Sequence, residues 1–240
     1  MTLRCYQAMT ANEYHAAQKL PEHLAWMACH FSCYGSGLSN LPTNLPAGSM
    51  IIINDRTPVH GHDPKCIAHQ LTALAEELKP SAFLLDFQRE GQKETAAIVR
   101  HLSECLPCPV GVSECYAQDF DCPVFLPPPP LNIPLKEYIA PWSGREIWLE
   151  AAVDTQVFTV DGKGCRREPG EYPESDKPEF TEPELHCRYR ICVFEDHAKF
   201  TLHRNKNDLA ALLQEAESLG ISLAVGLYQE LGDKSNDPED

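Results

Sequence analysis

A single (β/α)8 barrel, with some helices shortened or replaced by hairpins, is the fold that this 240-residue sequence predicts. Three observations predict it. Eight runs of strand length recur along the chain, starting at Leu24, Met50, Ala82, Pro109, Pro123, Glu146, Cys187 and Ser222. The first of these alternate with amphipathic helical stretches, which is the β-α-β order of a parallel sheet buried on both faces. Nearly every run ends in polar residues, while no G-x-G-x-x-G turn or P-loop follows the first one, as a doubly wound nucleotide-binding sheet would require.

The elements follow in order. Thr10 and Glu13 have capping-box spacing, and Tyr14, Ala17 and Leu20 continue one face of a short helix. An apolar strand over 24–29 gives way to a loop punctuated by glycine and proline over 34–48. A buried strand over 50–53 ends at Asn54 and Asp55. Asp63 and Pro64 are a cap and first-turn pair, after which Ile67, Leu71, Leu74 and Leu78 form the stripe of an amphipathic helix. The strand over 82–85 ends in Asp86, Phe87 and Gln88. A second helix, with Ala97, Ile98, Leu102 and Cys105 on one face, leads to a strand over 109–112 and then to Ser113 and Glu114.

Beyond this point the pattern loosens. A short strand over 123–126 runs into four consecutive prolines, which are polyproline-like and cannot pair inside a sheet. One or two helical turns over 134–140 precede a strand over 146–149 that ends at Glu150. Residues 156–160 before Asp161 and Gly162 predict one hairpin, and 187–194 with 197–203 predict another. Asn207 is read as the cap of a last long helix carrying Leu209, Leu212, Leu213, Ala216 and Leu219 and closed by Gly220. The strand over 222–227 then leads to Tyr228, Gln229 and Glu230. The expected organisation is one barrel domain over 1–232, with an acidic, proline-rich insertion at about 168–184 and an acidic disordered tail over 233–240.

Charge narrows the function. With 20 Lys and Arg against 35 Asp and Glu, the formal charge is −15, which argues against a nucleic-acid partner needing a basic face. Seven acids and one lysine lie within 168–184, and five acids and one lysine follow from Gln229, so the remaining body is only mildly acidic. The four prolines of the first segment keep it out of a helix or a central strand. No run of about 18 apolar residues is present, so no membrane span is expected. The first residues lack the apolar core of a signal peptide, which predicts a cytoplasmic location.

The eleven cysteines are accordingly expected to be reduced and to pack as small apolar side chains. Cys105, Cys108, Cys115 and Cys122 have a metal-like spacing, but an intervening strand of about five residues would separate its ends by roughly 17 Å. Neither a metal nor a cofactor is expected.

In a barrel, chemistry sits where the strands end. Those positions hold His30 and Tyr34, Asn54 and Asp55, Asp86 and Gln88, Glu114 and Tyr116, Glu150, and Tyr228 with Gln229. Asp86, Glu114 and Glu150 are the candidate catalytic carboxylates. Gln88, Asp55, Asn54, His30, Tyr34, Tyr116, Tyr228 and Gln229 are the candidate ligand contacts. Trp142 and Trp148 fall near the same rim, Trp148 within an apolar strand where core packing is its expected role. Which carboxylates face one another is not encoded in the spacing.

Asp86 and Gln88 lie two apart, so on a strand both point to one side. The segment Leu84, Leu85, Asp86, Phe87, Gln88 resembles the D-x-D-x-E strand end of the family 18 glycoside hydrolases, the chitinases and chitinase-like lectins. The resemblance implies that Asp86 matches the last aspartate and that Gln88 stands where the family has its general acid. A glutamine amide cannot protonate a leaving oxygen, so another carboxylate supplies the proton or the barrel only binds. A buried Asp86 near other carboxylates should have its charged form disfavoured, making it a candidate acid or an orienting group.

The expectation is therefore a glycoside-hydrolase-like barrel that binds a carbohydrate or other small molecule at the C-terminal rim, with cleavage left open. A catalytically silent binding or interaction barrel is the alternative that Gln88 favours. A metal-dependent hydrolase using His60 and His62 is the other.

Overall fold

The computed structural model describes residues 2–33, 36–57, 59–89, 92–172 and 178–232. The elements run β1 (Arg4–Met9), α1 (Ala11–Ala16), β2 (Leu24–Phe31), β3 (Leu38–Ser39), β4 (Met50–Asn54), α2 (Pro64–Leu78), β5 (Ala82–Asp86), α3 (Lys93–Cys105), β6 (Val110–Ser113), α4 (Glu114–Ala117), β7 (Val124–Leu126), α5 (Leu135–Ile139) and β8 (Ile147–Ala151). Then follow β9 (Asp154–Asp161), β10 (Gly164–Pro169), β11 (Phe180–Glu182), β12 (Cys187–Val193), β13 (His197–Arg204), α6 (Lys206–Ser218), β14 (Leu223–Leu227) and α7 (Tyr228–Leu231).

Eight parallel strands close into a barrel in the order β1, β2, β4, β5, β6, β7, β8, β14. The closing strand is β1. It pairs with β14 from Arg4 opposite Leu223 to Ala8 opposite Leu227, and with β2 through Gln7, Ala8 and Met9 opposite Leu24, Ala25 and Trp26. The predicted (β/α)8 barrel is therefore observed, with two corrections to its strand list. Arg4–Met9 is a barrel strand that the apolar-run criterion passes over, because arginine and glutamine break its pattern. Cys187–Val193 is not a barrel strand. It belongs to a separate antiparallel sheet, in the order β10, β9, β13, β12, β11, inserted between β8 and α6. An alternating pattern serves either setting, so the sequence does not separate them.

Local signals act as read. Thr10 and Glu13 close a capping box, and Asp63 accepts the N–H of Lys65 above Pro64. The cap of α6 is Asn205 rather than Asn207: its side chain accepts the N–H groups of Asn207 and Asp208, and Asp208 answers the Asn205 N–H. In the acidic segment, β10 ends at Pro169 and β11 lies on the far edge of the inserted sheet, where proline and short strands are tolerated. Tyr172 and Glu179 fold back on that sheet: Glu179 pairs with Arg188 and Arg190, and Tyr172 stacks on His203. Residues 173–177 and the tail from 233 lie outside the described residues.

The inward faces of the strands fill the barrel. Tyr6, Ala25, Met50, Ile52, Ala82, Leu84, Phe125, Trp148, Leu223 and Val225 form this inner core, while a larger cluster packs between the barrel and its helices. Trp148 is 2% exposed and is core, as its strand predicts. Its ring lies over Gly111 of β6, where a Cβ would stand 2.2 Å from two ring carbons. Its indole N–H donates to Glu146 at 2.9 Å, and Ser222 donates to the same oxygen. At the same end Tyr6 donates to Ser81 at 2.8 Å. The N-terminal half of the barrel is thus filled by packed and hydrogen-bonded side chains.

Two side-chain arginines tie loops to this frame. Buried Arg204 of β13 donates to the carbonyls of His186, Leu185 and Pro129, fastening the inserted sheet to the segment after β7. Arg145 donates to the carbonyls of Ala117, Phe120 and Cys122 before β7. Replacing Gly111 with alanine forces the Trp148 ring to move in a filled interior. It is expected to cost about 1 to 3 kcal/mol in urea unfolding, with part of the loss recovered in a Gly111→Ala, Trp148→Leu double variant.

Candidate functional site

The inward face of each strand changes from apolar to polar as it leaves the barrel. Ile52 is followed two residues on by Asn54, Leu84 by Asp86 and Trp148 by Glu150, and Asn54 and Asp86 are register partners. These side chains line a cavity of about 150 Å³ at the C-terminal mouth, with Glu230 of α7 at its lip. Its floor and walls are Ala8, Met27, Ile52, Leu84, Phe125 and Val225. Two backbone features make the room. A register shift in β2 between Trp26 and Cys29 leaves the Met27 carbonyl free to accept from Asn54 Nδ2 at 3.4 Å. Gly226 brings β14 close to β8, since a Cβ there would lie 2.3 Å from the Ala151 carbonyl oxygen.

Asp86 is held from two sides. Its Oδ1 accepts from the Gln88 amide at 2.5 Å, and the Ser113 hydroxyl lies 3.5 Å away. Phe87 between them is buried outward, so Asp86 and Gln88 share one side, as their spacing requires. Burial pushes the Asp86 carboxyl up. The Gln88 amide opposes this, the Asp55 charge adds to it and Ser113 opposes it. Glu150 has no such donor among its causes. Burial, then the charges of Asp86 and Glu230, push it up to about 7. Burial thus raises both inward carboxyls of the mouth, but Asp86 accepts side-chain hydrogen bonds that favour its anion, while Glu150, without such donors among its causes, keeps a proton near neutrality.

The other candidates are distributed around this pair. Asp55 is only 4% exposed, and its two oxygens accept the N–H groups of Gln88 at 3.1 Å and Arg89 at 2.8 Å, fixing the chain beyond β5. Tyr116 is buried outside the barrel wall, donating to the Arg89 carbonyl and lying edge-on to Phe87. Glu114 opens α4; burial first, and then its charge, raise Tyr138, whose hydroxyl donates to the Pro127 carbonyl at 3.0 Å. His30 bonds to the Ala28 carbonyl at 3.1 Å, Gln229 donates to Glu13 at 2.6 Å, and Tyr228 packs on the outer core. None of these six lines the cavity. Tyr34 lies outside the described residues.

His60 and His62 take separate partners. His60 is 89% exposed beside Glu94, whereas His62 accepts the Gly37 N–H at 3.1 Å and packs on Phe31. Among the described residues no three His, Cys, Asp or Glu side chains converge as a metal site. The cysteines of the metal-like spacing also diverge, Cys105 toward His101 and Cys115 onto the Phe87 carbonyl, and none of the eleven is joined in a disulfide.

Sequence reasoning passed over Glu230 and Tyr138. Burial raises both, and Glu230 also accepts the Val153 N–H at 3.1 Å. Both stand on short helices after strand ends, and the only signal for Glu230 was its place beside Gln229. A larger groove of about 540 Å³ runs between α2 and α3, past Lys65, Lys93 and Arg100, and shares no lining residue with the mouth cavity.

No family model matches the chain, and no curated protein sequence matches it. Solved structures do match in fold. A class V chitinase from Nicotiana tobaccum gives a TM-score of 0.60 at 10% identity over 95% of this chain and 94% of that one. A glycoside hydrolase family 18 N-acetylglucosaminidase from Paenibacillus barengoltzii gives 0.59 at 8% identity over 98% and 97%. A chitinase-like agglutinin from Robinia pseudoacacia gives 0.59 at 12% identity over 95% and 96%. The resemblance suggested by the Asp86 strand end holds at the level of the fold, which proteins named as enzymes share with one named as an agglutinin.

The raised Glu150 makes stability fall with pH. Its folded state holds a proton that the unfolded chain has lost above about pH 4.3, so this contribution is full below that value and is lost as pH rises through about 7. Glu150→Gln is expected to flatten that slope. It should raise unfolding free energy by about 2 kcal/mol at pH 8 with little change at pH 4, measured by urea unfolding at the two pH values.

Proposed function

We propose that the chain is a carbohydrate-binding barrel of glycoside-hydrolase type, in which the mouth cavity takes one sugar unit. The observation that carries this reading is the convergence of Asp86 and Glu150 on one apolar-floored cavity, where donors from Gln88 and Ser113 support the Asp86 anion and Glu150 is pushed up to about 7. A volume of about 150 Å³ equals about five waters at ~30 Å³ each, so the rest of an oligosaccharide lies outside, along the strand ends.

In this reading Glu150 takes the acid's role that Gln88 cannot fill. Its carboxyl proton passes to the glycosidic oxygen as the bond to the anomeric carbon breaks. Asp86, ionised and aimed by Gln88 and Ser113, stabilises the positive charge developing at that carbon, and a water adds there and returns its proton to Glu150. Asp55 acts through the loop it fixes, and is a positioning residue.

A second reading, binding without turnover, is favoured by one contact: the Gln88 amide already occupies an oxygen of Asp86. The two readings share the site and differ in chemistry.

The neighbours named as chitinase and N-acetylglucosaminidase make N-acetylglucosamine oligomers the first ligands to test. Calorimetric titration should give saturable binding that Asp86→Asn weakens at least tenfold. If product also forms, Glu150→Gln is expected to slow it about a hundredfold or more. Saturable binding with no product over days selects the silent barrel. Full binding by an Asp86→Asn, Glu150→Gln double variant would place the ligand elsewhere.

A further inference from the structure

We infer that the mouth cavity selects a positively charged saccharide, one bearing a free primary ammonium, over its neutral or N-acetylated counterpart. This inference rests on the reading of the mouth as a carbohydrate site and names the class of sugar it takes.

The chemistry of the enclosing wall carries the inference. Every ionisable side chain lining the cavity is a carboxyl: Asp86 from β5, Glu150 from β8 and Glu230 from α7. The rest of the lining is apolar apart from Asn54 and backbone, and no lysine or arginine among the described residues contributes to it. The groups packed behind this wall repeat the sign. Asp55 acts on Asp86 and Asp154 acts on Glu230, while the Tyr138 hydroxyl near Glu150, raised by burial first, stays neutral and supplies no counter-charge. The cation that reaches the site is Lys206, which acts on Glu230 from the first turn of α6 and lines the adjoining groove with Asn205 and Asn207. Asp86 and Glu150 thus face each other over an apolar floor with no counter-charge in the lining.

Such a cavity discriminates by charge. A uronate or a phosphorylated sugar adds a like charge in a poorly screened space and is rejected. A neutral sugar leaves the repulsion as it is. An ammonium donates N–H bonds to both carboxylates and removes the repulsion, which are charge-assisted contacts of the strong kind. The proton on Glu150 is the present relief of that repulsion, and the ammonium takes its place. On binding, the Glu150 O–H ionises and its proton passes to the buffer, while the ligand enters already charged, so a charged unit seated here is held without the proton that cleavage would draw from Glu150 and belongs to the reading of binding without turnover. Cation binding and proton release are therefore one event.

The test is calorimetry at pH 6.5 with three tetrasaccharides: fully deacetylated glucosamine, N-acetylglucosamine and glucose oligomers. Each is run in two buffers of different ionisation enthalpy and at two salt concentrations. The deacetylated oligomer is expected to bind at least tenfold more tightly than the other two and to release a substantial fraction of one proton. Glu150→Gln should abolish the proton release and cut the preference to below threefold. Glu230→Gln, at the lip and outside the barrel interior, should reduce the preference while leaving the fold untouched.

Equal or weaker binding of the deacetylated oligomer overturns the inference while leaving the carbohydrate site standing. So does a preference that persists in Glu150→Gln with no proton release, which would be nonspecific attraction to an acidic surface. Absence of binding by all three overturns the underlying reading as well.

Discussion

Closure of the barrel by Arg4–Met9 is the constraint from which the rest of the structure follows. The strand hydrogen-bonds on both sides, to Leu223–Leu227 and to the start of Leu24–Phe31, so the first and last parts of the chain must meet before the sheet has no open edge. Closure fixes the strands around one axis and gives their inward side chains a single shared interior. The same closure sets the carboxyl pair, since Asp86 and Glu150 are 64 positions apart and belong to strands that are not adjacent. Plugging of the N-terminal half by Trp148, Tyr6 and their hydrogen-bonded partners then decides which end stays open.

At that open end the polar groups divide into two kinds. Asp55 and Ser113 are spent on backbone: Asp55 holds two consecutive N–H groups, and Ser113 accepts the Phe87 N–H at 2.9 Å. They stiffen the turn that carries Asp86 and Gln88, and removing one leaves buried donors unpaired at a cost of about 1 to 3 kcal/mol each. Glu150 and Glu230 bear the electrostatic cost of the site, since burial disfavours the charge of both and Asp86 adds to the burden on Glu150. Proteins rarely keep such carboxyls buried together without a use for them, and the mouth of a barrel is where that use is generally found.

How much of this was legible in the sequence depended on whether a residue's role is local. The strands at Met50, Ala82 and Glu146 read plainly because burial on both faces leaves uninterrupted apolar runs. Asp86 and Glu150 followed from them, since period-two alternation carries the inward face one step past the apolar residues. Arg4–Met9 was illegible because only Tyr6 and Ala8 face inward and the intervening polar side chains look like a loop. Cys187–Val193 misled for the opposite reason, because half-buried alternation is the same in a hairpin insertion as at a barrel edge. Tyr116 and Asp55 looked like rim ligands because a sequence gives position without partner. Their partners, Arg89 and its neighbours, lie across a loop closure of about 30 residues. Glu230 and Tyr138 ride on helices of four and five residues, too short for any periodic signal.

Both the acid at the mouth and its selectivity for charge depend on Glu150, and its titration is the most direct measurement. Glutamate side-chain carboxyls labelled with ¹³C can be followed by NMR from pH 3 to 9, with Glu150 assigned by its loss in Glu150→Gln. The account predicts a Glu150 midpoint near 7 that moves down when Asp86 is replaced by asparagine, because burial and the Asp86 charge are its two largest causes. A midpoint in the ordinary range near 4.3, unmoved by Asp86→Asn, would contradict it. The two carboxyls would then not share a mouth, and neither an acid at Glu150 nor a charge-selective cavity would stand.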